Sequence, residues 1–310
     1  MHTRDFQQIT WDDLCAEDCR QIVRLAIRED LERQQDWTTL ALVPRERTGA
    51  ARFVPRQAGV VAGMRALAVA VEELDARLTL EGALTDGDPV AAGHAIATLR
   101  GNVRDLLTSE RILLNLLGRM MGVATLTSQF VALTAGASCR VYDTRKTLPG
   151  WRRLDKYAVR CGGGHNHRTG LYDAVLIKDN HLAQFAGPSR APQTAADAVR
   201  QAREFLREAT AEPSLAELLV EIEVDSLEQL AAVLPERPDI VLLDNMPPAQ
   251  LRRAVAMRDD ACPTVQLEAS GGVDLSTLRS IAATGVDRVS VGALTHSAPA
   301  LDVGLDYVDG

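Results

Sequence analysis

From Cys139 to the C-terminus, short apolar segments alternate with longer amphipathic segments, and this alternation restricts the fold more than any other feature. The apolar segments occupy residues 140–143, 174–177, 218–224, 240–243, 264–267 and 288–291. Helix-like segments occupy residues 194–208, 226–234, 248–257 and 275–283. Short apolar strands that alternate with helices indicate a parallel sheet covered on both faces. Six such units favour a closed or nearly closed β/α barrel over an open sheet, so the predicted fold class is α/β.

The first 122 residues have a different pattern. We predict a helix over residues 12–32, followed by short strands near residues 51–54, 59–62 and 78–80. Residues 86–101 indicate tight turns between short strands, and a long helix begins near Asp105. We therefore predict two domains, residues 1–122 and residues 123–310. Whether the last residues pack back on the first domain stays open.

Polar or glycine-rich residues accompany each predicted strand end of the second domain. They are Thr144-Arg145-Lys146, Lys178 to His181, Glu223, Asp244-Asn245, Glu268 with Ser270-Gly271-Gly272, and Gly292. In β/α barrels the reactive groups lie at the carboxyl ends of the strands. Polar residues follow strands in many proteins, but six successive groups in register predict a ligand site at one end of the barrel.

Charge is distributed unevenly along the chain. The whole sequence has 34 Lys+Arg and 42 Asp+Glu, a formal net charge of −8. This balance argues against nucleic acid or an anionic membrane as a partner. Between Arg140 and Lys178, however, there are nine Lys/Arg and only three Asp/Glu. A solvated basic surface is one explanation, but Arg145, Lys146 and Lys178 follow predicted strands closely, so we predict a cationic pocket for a small anion.

Glu223 and Asp244 are the candidate metal ligands, because two carboxylates at neighbouring strand ends suit Mg²⁺ bound together with substrate phosphates. Ion pairs with nearby lysines are the alternative for either carboxylate. His165 and His167 lie in a basic neighbourhood without a third ligand at a familiar spacing, so we interpret His167 as an anion contact. The turns after the last two strands predict a phosphate-binding cradle formed by Ser270, Gly271, Gly272 and Gly292.

No targeting or membrane segment is evident in the sequence. The first residues lack a basic region followed by an apolar stretch, which argues against a secretory signal. Charged residues interrupt the apolar stretches, which argues against a transmembrane helix. The five cysteines form no CxxC pair and no evident disulfide framework. We therefore expect a cytoplasmic protein.

Seven motifs resemble those of the quinolinate phosphoribosyltransferase family. In family order and spacing they are Asp143-Thr-Arg-Lys-Thr-Leu-Pro-Gly150, Lys156-Tyr-Ala-Val-Arg-Cys-Gly-Gly-Gly-His-Asn-His-Arg168, Leu176-Ile-Lys-Asp-Asn-His181, Glu221-Ile-Glu-Val-Asp225, Leu243-Asp-Asn-Met246, Glu268-Ala-Ser-Gly-Gly272 and Ser290-Val-Gly-Ala-Leu-Thr-His296. The resemblance implies an N-terminal α/β sandwich domain and an incomplete parallel β/α barrel. It also implies a homodimer whose active sites are shared between subunits, and further assembly of the dimers stays open. Gln35 and Leu148 depart from the family pattern without removing a charged group.

The resemblance also implies an activity, the transfer of a phosphoribosyl group from phosphoribosyl pyrophosphate to quinolinate with decarboxylation. This reaction uses Mg²⁺ and no organic cofactor. The implied catalytic residues are Lys146, Glu223 and Asp244, and the two carboxylates hold Mg²⁺ directly or through water. The implied quinolinate pocket comprises Arg145, His167, Arg168, Lys178 and, across the dimer, Arg111. The implied phosphoribosyl pyrophosphate side comprises Lys146, Ser270, Gly271, Gly272, Gly292 and His296.

Three alternatives stay open. A Schiff-base aldolase would use Lys178 or Lys146 as its nucleophile. A non-enzymatic carrier or docking module is the second, because residues 86–94 resemble the turns of biotinyl and lipoyl carrier domains. No lysine lies in residues 1–145 to serve as an attachment point, so we interpret this likeness as architectural only. The third alternative is a member of the same family that acts on a different pyridine.

Overall fold

The computed structural model of the chain describes residues 4–185, 194–208, 215 and 217–308. In chain order the first elements are α1 (Asp13–Leu31), α2 (Trp37–Leu42), β1 (Thr48–Pro55), β2 (Gly59–Val60), α3 (Met64–Glu73), β3 (Leu78–Gly82), β4 (Pro89–Val90), β5 (Ala97–Asn102) and α4 (Val103–Leu133). They are followed by β6 (Arg140–Tyr142), α5 (Arg152–Cys161), β7 (Ala174–Ile177), α6 (Asp179–Gln184), α7 (Ala195–Glu208), β8 (Leu219–Val224), α8 (Leu227–Val233), β9 (Ile240–Asp244), α9 (Pro248–Ala261), β10 (Gln266–Ser270), α10 (Leu278–Ala282), β11 (Arg288–Ser290), α11 (Ala293–His296) and β12 (Val303–Val308). The argument about a secretory signal falls partly on residues 1–3, which lie outside the described residues.

The chain divides into two compact units, each built from segments that are not contiguous in sequence. The first, called the N-terminal unit here, comprises Ile9–Gln129, Lys146–Gly164 and Ala293–Gly310. The second, called the barrel unit, comprises Met1–Gln8, Phe130–Arg145 and His165–Gly292. The domain boundary between residues 122 and 123 stays a prediction.

The N-terminal unit contains a four-stranded antiparallel sheet with the strand order β12-β1-β5-β3. Phe53 of β1 is paired on one side with Leu305 of β12 and on the other with Ala97 of β5. Phe53 is fully buried, as are Leu99 of β5 and Leu67 of α3. The last described strand of the chain is therefore an edge of this sheet, next to β1.

The barrel unit contains a six-stranded parallel sheet with the order β6-β11-β10-β9-β8-β7. Helices follow several of these strands directly; α8, for example, begins after Ser226, whose side chain accepts a hydrogen bond from the Gln229 N–H at 3.3 Å. In the described part of the chain, β6 and β7 are the two edges of the sheet and are not paired with each other. The predicted α/β class and the incomplete parallel barrel are thus confirmed.

One barrel strand is displaced from its predicted position. The sequence pattern predicted a strand at residues 264–267, whereas β10 spans Gln266–Ser270. A turn closed by the hydrogen bond from the Val265 N–H to the Cys262 carbonyl, at 3.1 Å, occupies the first part of the predicted strand. As a result Glu268 lies within the strand and not after its end.

Several short elements fall outside the predicted ones, among them α2, α3, α5, α6, α11 and β12. Helices α2, α6 and α11 have only six, six and four residues, which is too few for a clear apolar period. In α5 the charged residues dominate the sequence, although Leu154 and Ala158 on its apolar face are fully buried. The basic segment of the sequence is therefore partly a helix with a buried face.

Among the described helices, α4 alone is long and apolar enough to cross a membrane by length and composition. The sequence predicted this helix from near Asp105, but we did not count it among the apolar stretches long enough to span a membrane. In its most apolar window, 56% of the residues are buried inside the protein. Leu113, Leu117 and Met121, for example, are completely buried. Such burial is typical of a helix in the core of a globular unit.

Candidate active site

Strand β8 carries side chains at three depths along the inner face of the barrel sheet. Leu219, Glu221 and Glu223 are spaced two residues apart, so they point to the same face of the strand. Leu219 belongs to an apolar cluster, called the floor here, with Phe6, Tyr142, Ala174 and Ile240. Glu221 is fully buried above it, and Glu223 lies near the carboxyl end, called the mouth here, where it is only partly buried.

Strand β10 repeats this arrangement two strands further along the sheet. Gln266 accepts hydrogen bonds from Arg288 Nε at 3.0 Å and Nη2 at 2.6 Å. Glu268 is fully buried, and Ser270 ends the strand in register with Asp244 of β9. Because parallel strands end on the same side of a sheet, the predicted ligands at the strand ends lie on one face of the unit.

Arg288 connects the floor to the N-terminal residues of the barrel unit. Its side chain is 1% exposed, and Nη2 donates a hydrogen bond to Asp5 Oδ1 at 3.0 Å. The guanidinium lies 4.3 Å from the centre of the Tyr142 ring, and the Tyr142 hydroxyl donates to Asp5 Oδ2 at 2.7 Å. A buried arginine with a carboxylate and an amide as partners is a paired charge, which the interior tolerates.

His167 lies between the floor and the mouth, against two buried glutamates. Its Nε2 is 3.0 Å from Glu221 Oε2 and 3.6 Å from Glu268 Oε1. On the other side of the ring, Nδ1 accepts a hydrogen bond from the Arg168 backbone N–H at 2.8 Å. The His167 backbone N–H donates to Asp143 Oδ1 at 2.9 Å. The position of the imidazole is therefore determined by interactions within the barrel unit.

At the mouth, Lys178 forms a close ion pair with Glu223. An ion pair with a nearby lysine was the alternative to metal binding that the sequence left open for Glu223, and the structure contains this ion pair. Asp244, on the next strand, accepts a hydrogen bond from Asn245 Nδ2 at 2.9 Å. The two carboxylates offer oxygen ligands only, which fits Mg²⁺, an ion that keeps several waters and binds substrate phosphates as well. Glu223 and Asp244 are thus the residues that would hold it.

Two arginines lie close together near the mouth. Arg168 is 6% exposed, and its Nη1 donates to the Ala174 carbonyl at 3.4 Å. Arg145 Nε is buried and has no hydrogen-bond partner among the described residues. Burial and the positive charge of Arg145 both lower the pKa of Arg168. Two neighbouring guanidinium groups that are partly desolvated form a site for a group with more than one negative charge.

The turn after β10 has a backbone that favours glycine. Gly271 has φ of 91°, and a Cβ added there would collide with Asn245 Oδ1. Gly272 has φ of 60°, but a Cβ at that position would meet nothing within 4 Å. Gly271 is therefore required both by its dihedral angle and by the neighbouring side chain, whereas Gly272 faces open space.

Gly292 lies just after β11 in the barrel unit, and the other three predicted site residues belong to the N-terminal unit. Lys146, Arg111 and His296 are all exposed there. The Lys146 carbonyl accepts a hydrogen bond from Thr295 Oγ1 at 2.7 Å, and Arg119 Nη2 donates to the Thr295 carbonyl. This arrangement fixes the backbone at Lys146 next to the helix that carries His296, so these two predicted phosphoribosyl residues are held near each other.

Two family models match the chain. That of the quinolinate phosphoribosyl transferase N-terminal domain covers residues 36–121, and that of the C-terminal domain covers residues 123–306. The chain belongs to the quinolinate phosphoribosyltransferase family. It is 46% identical to the carboxylating nicotinate-nucleotide pyrophosphorylase of Mycobacterium leprae, over 93% of this chain and 96% of that protein.

Further family members match over a similar share of the chain at lower identity. A probable carboxylating nicotinate-nucleotide pyrophosphorylase of Synechocystis is 38% identical over 91% of this chain and 90% of that protein. The solved structure of the nicotinate-nucleotide pyrophosphorylase of Francisella tularensis superimposes with a TM-score of 0.86 at 33% identity, and the match covers 98% of this chain and 100% of that one. As a member of the quinolinate phosphoribosyltransferase family, the protein is a pentosyltransferase.

Sequence reasoning missed the buried residues of the family fold below the mouth. Glu221 and Arg288 lie within strands, and neither they nor Phe6 and Asp5 had a predicted role. Glu268 was predicted at a strand end, whereas it lies within β10. His167, Glu221 and Glu268 each offer a ligand atom within 4.8 Å of the others, a spacing that a metal ion could use. The nearby positive charge of Arg288 opposes a cation there, so we assign these glutamates to His167. The signal for them was a charged residue inside an otherwise apolar strand.

Glu268 makes stability depend on pH. Burial and the charge of Glu221 raise the pKa of Glu268 from 4.5 to about 7, so the folded state holds this proton more tightly than the unfolded state. The resulting stabilisation is complete below about pH 4.5 and is lost as pH rises through about 7. Relative to Glu268→Gln, we expect the wild-type unfolding free energy to fall by the order of 1–3 kcal/mol over that range. Urea unfolding of both proteins at several pH values measures the difference, and a pH-independent difference would contradict it.

Proposed function

We propose that the protein transfers the phosphoribosyl group of phosphoribosyl pyrophosphate to quinolinate with loss of CO₂. The products are nicotinate mononucleotide and pyrophosphate, a step of NAD biosynthesis. Relatives that are 34% identical over 93% of this chain carry the name quinolinate phosphoribosyltransferase (decarboxylating). The observation that carries the proposal is the pair of neighbouring, partly buried arginines, Arg145 and Arg168, because quinolinate is a compact dianion.

The dicarboxylate is bound by cations of the barrel unit. Arg145 and Arg168 present guanidinium groups, which can bind a carboxylate with two parallel hydrogen bonds. Lys178 adds a point charge at the end of β7, and His167 lies beside Arg168. Arg111 completes the pocket from the partner subunit of a homodimer. This arrangement neutralises both carboxylates and orients the ring nitrogen for attack.

The chemistry then proceeds at the mouth of the barrel. The ring nitrogen of quinolinate forms a bond to the anomeric carbon of the ribose while the bond from that carbon to pyrophosphate breaks. Positive charge that develops on the ribose is stabilised by the carboxylates of Glu223 and Asp244. Lys146 contacts both substrates. Mg²⁺, when bound by these carboxylates directly or through water, neutralises negative charge on the leaving pyrophosphate.

Decarboxylation follows from the new positive charge on the ring. The bond from the ring to the 2-carboxylate breaks, its electron pair is stabilised by the pyridinium nitrogen, and the carbon then takes a proton from solvent. The pyrophosphate and the 5-phosphate of the other substrate are bound by Ser270, Gly271, Gly272, Gly292 and His296. No organic cofactor takes part.

We further propose that the protein is a cytoplasmic homodimer, with residues 1–122 and 123–310 as its domains. The formal charge of −8 disfavours nucleic acid or an anionic membrane as a partner. A dimer of dimers or a larger assembly is compatible with this proposal.

Substrate turnover tests the proposed reaction. Supplied with quinolinate, phosphoribosyl pyrophosphate and Mg²⁺, the protein is expected to release CO₂ and form nicotinate mononucleotide in equal amounts. Removing divalent cations with EDTA is expected to abolish turnover, and adding Mg²⁺ is expected to restore it. Nicotinate in place of quinolinate serves as the matched control, since it lacks the 2-carboxylate. Turnover of nicotinate without turnover of quinolinate would refute the proposal.

Sharing of the active site between subunits gives a second expectation. Arg111→Ala and Lys146→Ala are each expected to lower activity at least about tenfold. When the two variants are unfolded together and refolded as mixed dimers, one site of each heterodimer has both native residues. Random mixing then gives about one quarter of wild-type activity. Mixed samples that stay as inactive as the separate variants would show that both residues serve the same subunit.

A further inference from the structure

Residues 165–168 run beside β6 in the manner of a short strand. Tyr142 and His165 form an isolated parallel bridge. The His165 N–H donates to the Val141 carbonyl at 2.8 Å, and the His165 carbonyl accepts from the Asp143 N–H at 3.0 Å. In an extended chain the backbone polar groups of successive residues point to opposite edges. The N–H and carbonyl of the following residue therefore point away from β6 and need partners on the other side.

The side chain of Gln8 supplies these partners. Its Oε1 accepts a hydrogen bond from the Asn166 N–H at 2.8 Å, and its Nε2 donates to the Asn166 carbonyl at 3.1 Å. The same Nε2 donates to the Phe6 carbonyl at 2.9 Å. One orientation of the amide satisfies all of these contacts, because the oxygen accepts and the nitrogen donates. The amide of Gln8 thus takes the place that a neighbouring strand would occupy.

The peptide group between Asn166 and His167 is consequently held at both ends. Its carbonyl accepts from Gln8 Nε2, and its N–H donates to Asp143 Oδ1 at 2.9 Å. Asn166 is fully buried, and a buried peptide group that loses a partner is destabilised more than an exposed one. This peptide directly precedes the side chains of His167 and Arg168. Its orientation therefore sets the direction in which those two side chains extend.

The segment that carries Gln8 is itself bound to the barrel unit. The Arg4 carbonyl accepts a hydrogen bond from Gln266 Nε2 at 3.1 Å. Phe6 is 5% exposed, and its ring packs on that of His167 with 4.2 Å between the ring centres. Gln8 therefore belongs to a segment whose position is fixed by several other parts of the same unit.

We infer that Gln8 is a positioning residue for the pocket of the proposed dicarboxylate substrate. It acts through the Asn166–His167 peptide, and it adds no charge to the pocket. Its effect is therefore expected to fall on the affinity for quinolinate and not on that for phosphoribosyl pyrophosphate. The inference rests on the proposed function for the identity of the substrate, whereas the hydrogen bonds of Gln8 do not depend on it.

Residue-resolved amide hydrogen exchange of the substrate-free protein tests the contact. Gln8→Met keeps an unbranched side chain of similar length but removes the amide. In this variant the Asn166 N–H is expected to exchange at least about tenfold faster than in the wild type. The His165 N–H, which is bound by the Val141 carbonyl, is the internal reference and is expected to keep its rate. An unchanged rate at Asn166, or an equal acceleration at His165, would overturn the inference.

Steady-state kinetics test the effect on the pocket. Gln8→Met is expected to raise the KM for quinolinate about threefold to thirtyfold, while kcat and the KM for phosphoribosyl pyrophosphate stay within about twofold of wild type. Gln7→Ala is the matched control, because Gln7 is exposed and directly precedes Gln8 in the same segment. A purely structural role would lower the unfolding temperature without this selective rise. A quinolinate KM within about twofold of the control would therefore refute the inference.

The two measurements separate the inference from the proposed function. If the wild-type protein does not turn over quinolinate, the proposed function is wrong, and the exchange rate at Asn166 alone decides whether Gln8 holds the peptide. If quinolinate is turned over and the exchange rate rises without the selective rise in KM, the contact exists but does not position the pocket, and the inference is overturned. Thermal unfolding of each variant ensures that both measurements are made on folded protein.

Discussion

Replacing Lys178 with alanine is expected to lower kcat/KM for quinolinate by about 100- to 1,000-fold. The substitution removes a cation at the mouth of the barrel and leaves the Glu223 carboxylate without its ion-pair partner. An uncompensated carboxylate then faces a dianionic substrate, so lost attraction and new repulsion act together. Initial rates at varied quinolinate and fixed phosphoribosyl pyrophosphate measure the change.

Two further variants show whether this effect belongs to the ion pair. Glu223→Gln combined with Lys178→Ala is expected to cost less than the sum of the single changes, because the repulsive carboxylate is absent. Arg200→Ala, which breaks an exposed ion pair with Glu236 on the outside of the same unit, is the matched control and is expected to leave the kinetics unchanged. A loss below about fivefold for Lys178→Ala would remove Lys178 from the proposed pocket.

The second large expectation concerns stability. Arg288→Ala is expected to lower the free energy of unfolding by about 3–5 kcal/mol. The guanidinium is 1% exposed and bound by Asp5 and Gln266, so its removal takes hydrogen bonds from two partly buried polar partners and opens a cavity next to Tyr142. Urea unfolding followed by circular dichroism measures the change.

The choice of replacement distinguishes the lost charge from the lost volume. Arg288→Met fills most of the space, and combining it with Asp5→Asn removes the unpaired carboxylate, so the double variant is expected to recover part of the loss. Arg100→Ala, on the surface of the other unit, is the control and is expected to cost less than about 1 kcal/mol. If Arg288→Ala costs no more than this control, the floor is not held together by Arg288.

The residues at the strand ends could be predicted from the sequence, because the alternation of strands and helices has a local signal. Lys178 and Asp244 follow or end apolar strands, and parallel topology alone places such residues on one side of the sheet. The pairing of Lys178 with Glu223 was an open alternative, since the sequence cannot tell which of several cations lies nearest to a carboxylate. That choice depends on side-chain positions across two strands.

The interior below the strand ends could not be predicted in the same way. Glu221, Glu268 and His167 lie far apart in sequence. They come together only because the sheet curves and because the register between its strands places these residues at the same level. The displaced start of β10 added to the difficulty, because it moved Glu268 from a loop into a strand. Phe6 lacked any periodic pattern around it, yet it is 5% exposed and packs on His167.

The alternation along β8 has a consequence for how this protein can vary. Leu219, Glu221 and Glu223 serve the floor, the histidine and the mouth, while Val220, Ile222 and Val224 pack on the opposite face. Inserting or deleting one residue between them would exchange the two sets, placing valine and isoleucine inside and glutamates against the helices. Related proteins can therefore carry different residues in β8, but the number of residues in this strand cannot change. Insertions and deletions in related sequences are expected in the loops that flank it.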